Sequence, residues 1–407
     1  MPLPVIIIGA GVSGLLLAQG LKKANIPCRI FERDAHLEAR TQGYRVRISD
    51  DGIQALRDNL SPEHLAKVKQ RCSILPMKGN APSAILDALT GGKGVPLFPG
   101  GGAPGPPPPV FTESEVLSVD RRVLREVLLQ GLGGLLEFGN EYEHYEQDGE
   151  AGITVTFTDG DTIEGSLLVG ADGTWSPVRR QLIPKYQLSD TEARPIYGKT
   201  PMTDTLSAAL SPSVMSSLTL LRSPKLSCLL EDMRFDHSQP ETPPDYVYWV
   251  LFLRGDAYQE DAVPSTTEET PRFAREVTSD WHPSFRCLFT QPDSGASVIH
   301  LVTSRPTALG VGTEADALVT LMGDAAHAMA PTAALGATTV LRDAGNLVRP
   351  LTLREDVMAT PAPALRAYER EMEVYAADAL AKSMMGAKRI FGVKPFDELP
   401  LIDMRGS

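Results

Sequence analysis

Three short stretches of the 407-residue chain place glycine just after a buried-strand pattern in a way that suits a phosphate-bearing ligand. The first is Gly9-Ala10-Gly11-Val12-Ser13-Gly14, a G-x-G-x-x-G pattern directly after the β-branched run Val5-Ile6-Ile7-Ile8. In such a turn Gly9 permits the tight bend, Gly11 lets a pyrophosphate approach the backbone at a helix N-terminus, and Gly14 lets helix and strand pack closely. Glu32 stands 23 residues beyond Gly9, at the end of the next apolar run, where a carboxylate accepts hydrogen bonds from an adenosine ribose. A free 2′-hydroxyl at that position suits FAD or NAD better than NADP. The other two stretches are Leu168-Val169-Gly170-Ala171-Asp172-Gly173 and Leu321-Met322-Gly323-Asp324-Ala325-Ala326-His327, each with an acid and a glycine just after a buried-strand pattern.

These groups need rigid elements to present them. Residues 5–8, a helix from about 13 to 25 and residues 28–32 read as strand, tight turn, helix and strand, the βαβ unit of about 30 residues that parallel pairing requires. Residues 119–132 read as an amphipathic helix with Leu124, Val127, Leu128 and Leu132 on one face. Residues 153–157 and 162–169 read as a hairpin entering a buried strand. Residues 91–109 are rich in Gly and Pro and read as an exposed excursion, because proline has no N–H to donate and glycine is entropically costly to order. From about residue 195 to 300, strand-like runs such as Tyr246 to Phe252 alternate with polar turns, which predicts a mainly antiparallel region. A buried strand at 318–321, a helix from about Gly336 and a long helix over 365–390 close the chain.

Composition bounds the partners. A 42% hydrophobic fraction, 22% charged residues, 35 glycines and 33 prolines describe an ordinary globular chain with room for two or three structural units. A net charge of −12 opposes attraction to nucleic-acid backbones and anionic lipid. Four scattered cysteines, Cys28, Cys72, Cys228 and Cys287, show no metal-ligand spacing, so no metal is expected. The apolar run from Val5 to Ala18 lacks a basic flank and is too short to span a bilayer, so a cytoplasmic protein without an integral membrane segment is the expectation.

With G-x-G-x-x-G, the Asp172-Gly173 pair and the Gly323-Asp324 pair in this order, the chain resembles the class A flavoprotein monooxygenases, the para-hydroxybenzoate hydroxylase-like group, over about residues 5–390. Within that group it is most similar to the salicylate hydroxylase-like and tetracycline-oxygenase-like members, including tailoring enzymes of secondary metabolism. The resemblance implies an α/β fold: a Rossmann-like FAD-binding domain with an inserted, mainly antiparallel β-sheet substrate domain and a long C-terminal helix. It implies cofactor segments at residues 1–75, 119–190 and 306–407, and substrate segments at 76–118 and 191–305. The implied reaction is hydroxylation or epoxidation of a small, largely apolar organic substrate, with non-covalent FAD, NAD(P)H and O₂. A monomer or weak dimer is expected.

Carried over residue by residue, the resemblance assigns Gly9, Gly11, Gly14, Glu32, Arg45, Arg121, Asp172, Asp324, Gly336 and Ala337 to the cofactor. Arg121 matches an arginine at a helix start, and guanidinium suits a diphosphate. Arg194 and Lys199, at the opening of the substrate region, are the candidates for a group that tunes the substrate. His327 reads as structural and His36 as a solvated loop histidine rather than a covalent flavin tether. Ala334 replaces a family glycine and Thr338 a family asparagine or glycine, at the helix N-terminus that faces the flavin in this group. Only one G-x-G-x-x-G is present, and Trp175, Trp249 and Trp281 stand apart, so the flavin halogenase signature is missing. A flavin oxidase, dehydrogenase or reductase on the same fold, and a flavin-binding protein without turnover, remain the alternatives.

Overall fold

A computed structural model describes residues 2–37, 39, 43–74, 84–94, 115–148, 152–212, 214–215, 218–239, 241–253, 263–264, 266–291, 295–305, 317–353 and 360–402. Most of the Gly/Pro-rich excursion at 91–109 lies outside the described residues.

Five parallel strands form the first sheet, in the order Val319–Leu321, Leu167–Gly170, Val5–Ile8, Cys28–Glu32 and Leu136–Phe138. The Val5–Ile8 strand is central and buried on both faces, which is why it reads as an unbroken run of Val and Ile. The helix Val12–Lys23 follows and buries ten consecutive residues, so its apolar character runs all round. It ends at Ala24, with Lys22 and Lys23 in the last turn, where positive charge complements the helix dipole. Helices Asp50–Asn59 and Gly336–Thr352 pack with it. A three-stranded antiparallel sheet, Tyr142–Asp148, Gly152–Phe157 and Thr162–Gly165, lies on the other side, with the Phe157 ring 4.7 Å from that of Phe31.

The second large sheet has six strands in the order Gly295–Val298, Ile196–Pro201, Tyr246–Leu253, Leu226–Met233, Thr219–Arg222 and Ala84–Asp87. All its pairings are antiparallel except the last, where Ala84–Asp87 from the early excursion runs parallel to Thr219–Arg222. Period-two alternation sorts its side chains. Ile196, Trp249, Leu251 and Leu230 face a core closed by helices Asp204–Ala209, Thr270–Val277 and Pro283–Thr290. Tyr197, Tyr246, Tyr248, Val250, Phe252 and Met233 form the opposite face.

Some boundaries differ from the sequence reading. The helix expected over 119–132 spans Arg121–Leu129, because Leu117–Asp120 is a strand and the Asp120 carboxylate caps the helix by accepting the Arg122 N–H at 2.9 Å. The 162–169 run divides into two strands, Thr162–Gly165 and Leu167–Gly170, which belong to different sheets. The long helix spans Ala362–Phe391 and ends on Gly392, whose φ of 72° is the left-handed conformation glycine supplies. Among the described residues no helix is long and apolar enough to cross a membrane.

Candidate cofactor and substrate site

The register of the parallel sheet brings the three glycine-acid turns together. The Gly9 N–H donates to the Phe31 carbonyl, the Ala171 N–H to Ile8 and the Met322 N–H to Gly170, at 2.8, 2.8 and 2.9 Å. The ladder therefore ends at one level on four adjacent strands, and all the turns open at the carboxyl edge, where α/β sheets bind ligands.

Packing explains the first turn. Gly9 has φ 107°, and a Cβ there would lie 2.4 Å from the Ala171 carbonyl oxygen; a Cβ on Gly14 would lie 2.2 Å from the Gly9 oxygen. Gly11 is different, since its nearest such neighbour is the Ala171 oxygen at 3.9 Å. The backbone at Gly11 is thus open to an approaching group. It precedes a helix whose first turn has no side-chain cap, leaving N–H donors for an anion. These residues fit the diphosphate of a dinucleotide.

Glu32 closes the second strand and is 7% exposed. Its Oε2 accepts the Ala10 N–H at 2.9 Å and its Oε1 the Asp34 N–H at 3.2 Å. Arg125, which sequence reasoning did not select, donates from Nε to the Ala10 carbonyl at 3.1 Å, so both ends of the Ala10 peptide region are held. Arg121 is exposed at its helix start, with its own N–H donating to the Tyr44 carbonyl at 3.0 Å. His36 is exposed, as its loop position suggests.

Asp172 and Asp324 take different parts. Asp172 is folded into its own turn, where Oδ2 accepts the Val178 N–H at 3.3 Å and burial pushes its pKa up to about 6. Arg179, 1% exposed, reaches from this turn to the next and donates to the carbonyls of Thr174 at 2.6 Å and Ala325 at 2.8 Å. Asp324 itself is exposed, at the start of the short helix Asp324–His327. Its turn depends on Gly323, with φ 62°. His327 is fully buried and bonded through Nε2 to Asp343 at 2.7 Å, a structural placement.

Gly336 and Ala337 begin the helix Gly336–Thr352, again without a side-chain cap, and a Cβ on Gly336 would meet only Met329 Cγ at 3.9 Å. Ala334 occupies the left-handed region, φ 53° and ψ 27°. Thr338 ties this helix to the start of the helix Asp50–Asn59: its Oγ1 accepts the Ser49 N–H at 3.0 Å.

The remaining sequence candidates each have an acidic partner within the protein. Arg45 lies in the strand Arg45–Ile48 between the two large sheets, paired with Glu231 and stacked 4.7 Å from the centre of the Tyr248 ring. Its guanidinium is held by a carboxylate of the protein's own, in a cluster where one acid faces two arginines. Glu231 also lies 3.5 Å from Arg47 and accepts the Ser118 hydroxyl at 2.7 Å; burial lowers the Arg47 pKa to about 10. A glutamate inside the apolar strand Leu226–Met233 was the available signal for this cluster. Arg194 is bonded twice to Asp190, at 2.8 and 2.7 Å. Lys199 belongs to the tyrosine-lined face by alternation with Tyr197; it pairs with Asp120 and lies 4.9 Å from the Tyr246 ring centre. Tyr44 joins the same face from the cofactor side, bonded to Ser297 and 5.2 Å from the Tyr197 ring centre. Among the described residues no group of His, Cys, Asp and Glu could hold a metal ion.

Comparison with known proteins defines the class. The sequence pattern of the FAD binding domain family matches residues 120–383, and that of the NAD(P)-binding Rossmann-like domain matches residues 7–68. The dual O-methyltransferase/FAD-dependent monooxygenase elcB of Phaeosphaeria nodorum is 34% identical over 99% of this chain and 47% of its own length. The FAD-dependent monooxygenase thnD of Trichoderma harzianum is 28% identical over 85% of this chain and 82% of its own. A solved chain from Photorhabdus luminescens superposes with TM-score 0.77 at 26% identity, covering 95% of this chain and 98% of that one. This chain belongs to the FAD binding domain family, whose cofactor is FAD. It spans about half the length of elcB and of similar two-function relatives.

Proposed function

We propose that the chain is a monooxygenase that uses FAD, NAD(P)H and O₂ to hydroxylate or epoxidise a small, largely apolar organic substrate, in secondary metabolism or aromatic catabolism. The observation that carries this reading is the meeting of the Gly9–Gly14 turn, Glu32, the Asp172 turn and the Asp324 turn at one edge of a single parallel sheet. The fungal relatives support it by their names. In this reading residues 1–75, 119–190 and 306–407 serve the cofactor, and 76–118 and 191–305 the substrate. A cytoplasmic monomer or weak dimer completes the proposal.

When bound, FAD supplies the redox chemistry, accepting hydride from NAD(P)H and activating O₂. The protein's part is to bind, orient and exclude water. Gly11 leaves the backbone approachable and the helix start supplies N–H donors for the diphosphate, with Arg121 adding positive charge at the exposed edge. Glu32 accepts hydrogen bonds from a ribose, and Asp324 offers an exposed carboxylate to the hydroxyls of the ribityl chain. The helix starting at Gly336 and Ala337 directs N–H donors toward developing negative charge on the reduced ring. The face carrying Tyr44, Tyr197, Tyr248 and Phe252 provides a water-poor wall for the substrate, and Lys199, 27% exposed, places a charge on it.

The test is a panel of aromatic and polyketide-like compounds scored by stimulated NAD(P)H oxidation, with product mass read under labelled O₂. Incorporation of one labelled oxygen supports the proposal. Substrate turnover without incorporation would make the chain an oxidase or reductase instead.

A further inference from the structure

The exposed Asp324 carboxylate is presented by a short turn that other elements brace. Gly323 has φ 62° and ψ −144°, a conformation available essentially to glycine, and the helix after it has only four residues. Arg179 donates to the Ala325 carbonyl, and a second brace comes from another helix. Asp343, fully buried in the helix Gly336–Thr352, accepts three hydrogen bonds. Its Oδ2 takes the Gly323 N–H at 2.7 Å and His327 Nε2–H at 2.7 Å, one on each side of Asp324. Its Oδ1 takes the Tyr375 hydroxyl at 2.6 Å, from the long helix Ala362–Phe391. Tyr375 is held in turn by Arg342, whose guanidinium lies 4.2 Å from its ring centre while pairing with Asp51 at 2.8 Å.

A buried carboxylate with three donors from two other segments is costly to leave incomplete, so the four residues share one arrangement. We propose that Asp343 is a positioning residue for the flavin: it clamps Gly323 and His327 so that Asp324 meets the cofactor, and Tyr375 extends this control to the long C-terminal helix. The inference rests on the assignment of Asp324 to FAD. The carboxylate does not touch the cofactor; it acts through Asp324.

A double-mutant cycle on the full chain tests this, with FAD dissociation constants read from flavin fluorescence and folding checked by circular dichroism. Asp343→Asn keeps the shape and an acceptor but removes the charge. It is expected to raise the FAD Kd about tenfold in the wild-type background, as loss of about 1.4 kcal/mol does, and less than about twofold in the Asp324→Ala background. A general loosening of the fold would raise Kd equally in both backgrounds. Tyr375→Phe removes only the Oδ1 bond and carries the same cycle if Asp343→Asn does not fold, with about a threefold rise expected beside Asp324 and none beside Ala. Equal effects with and without Asp324, or no effect of either variant on Kd, would overturn the proposal while leaving FAD binding intact. A wild-type chain that binds no FAD would overturn both this inference and the functional reading beneath it.

Discussion

The Glu32 carboxylate accepts the N–H of Ala10 at 2.9 Å, so the acid that ends the second strand also holds the glycine turn that ends the first. One side chain therefore ties the end of the second strand to the turn that follows the first. Its two oxygens have separate partners, Ala10 and Asp34, and both are backbone donors.

Loss of that bond should be felt without any ligand. Glu32→Ala leaves the Ala10 N–H without its acceptor, a cost of about 1–3 kcal/mol, and lowers FAD affinity by roughly ten- to a hundredfold. Glu32→Gln keeps one oxygen acceptor and should recover most of the stability of the free protein but less of the affinity. Thermal denaturation with and without FAD separates the two effects; an unchanged midpoint in Glu32→Ala would contradict the bond.

The loop before the last cofactor helix offers an opposed pair. Ala334 sits at φ 53°, where a Cβ costs roughly 1–2 kcal/mol, while glycine costs about 0.5–1 kcal/mol more to order. Ala334→Gly should therefore be neutral to slightly stabilising in urea unfolding. Gly336→Val has room in the free protein, with Met329 Cγ at 3.9 Å, so its expected defect is in FAD occupancy and flavin reduction rather than in folding. Wild-type occupancy and reduction in Gly336→Val would remove this helix start from the site.

Arg179 spans two of the three turns, and replacing it should cost more than any surface charge. Arg179→Leu strips donors from the Thr174 and Ala325 carbonyls in a buried setting, and a loss of about 3 kcal/mol or more is expected in urea unfolding. Lys185→Leu, at an exposed position a few residues on, is the comparison and should change stability by less than about 0.5 kcal/mol. Similar midpoints for the two variants would show that the turns do not depend on the Arg179 bridge.

Glu369 gives a pH dependence with a definite sign. It is 7% exposed on the long helix, accepts the Thr320 hydroxyl at 2.8 Å, and burial raises its pKa from 4.5 to about 7. A raised carboxylate pKa means the folded state holds the proton more tightly than the unfolded one. Its contribution is complete below pH 4.5 and is lost as pH rises through about 7, with a total of roughly 3 kcal/mol. Glu369→Gln should gain stability relative to wild type at pH 8 and little at pH 4.5. Parallel urea midpoints for the two proteins across that range would refute it.

The sequence by itself determined the ligand chemistry and the elements that carry it. Glycine and acid at fixed offsets after β-branched runs are local features, and the βαβ unit, the two later turns and the long helix follow from patterns within a few residues of each motif. Only the tertiary structure decided which charges remain available to a ligand. Arg45 and Arg194 carry the same guanidinium as Arg121, yet the first is matched by Glu231 from a distant strand and the second by Asp190, while Arg121 stays exposed. Lys199 meets Asp120 across 79 residues, and Asp343 reaches Gly323 only because its helix packs beside the last parallel strand. The reason is physical: a charge buried on folding must find a partner, and that partner is chosen by which discontinuous segments pack together, information that residue type and spacing do not contain.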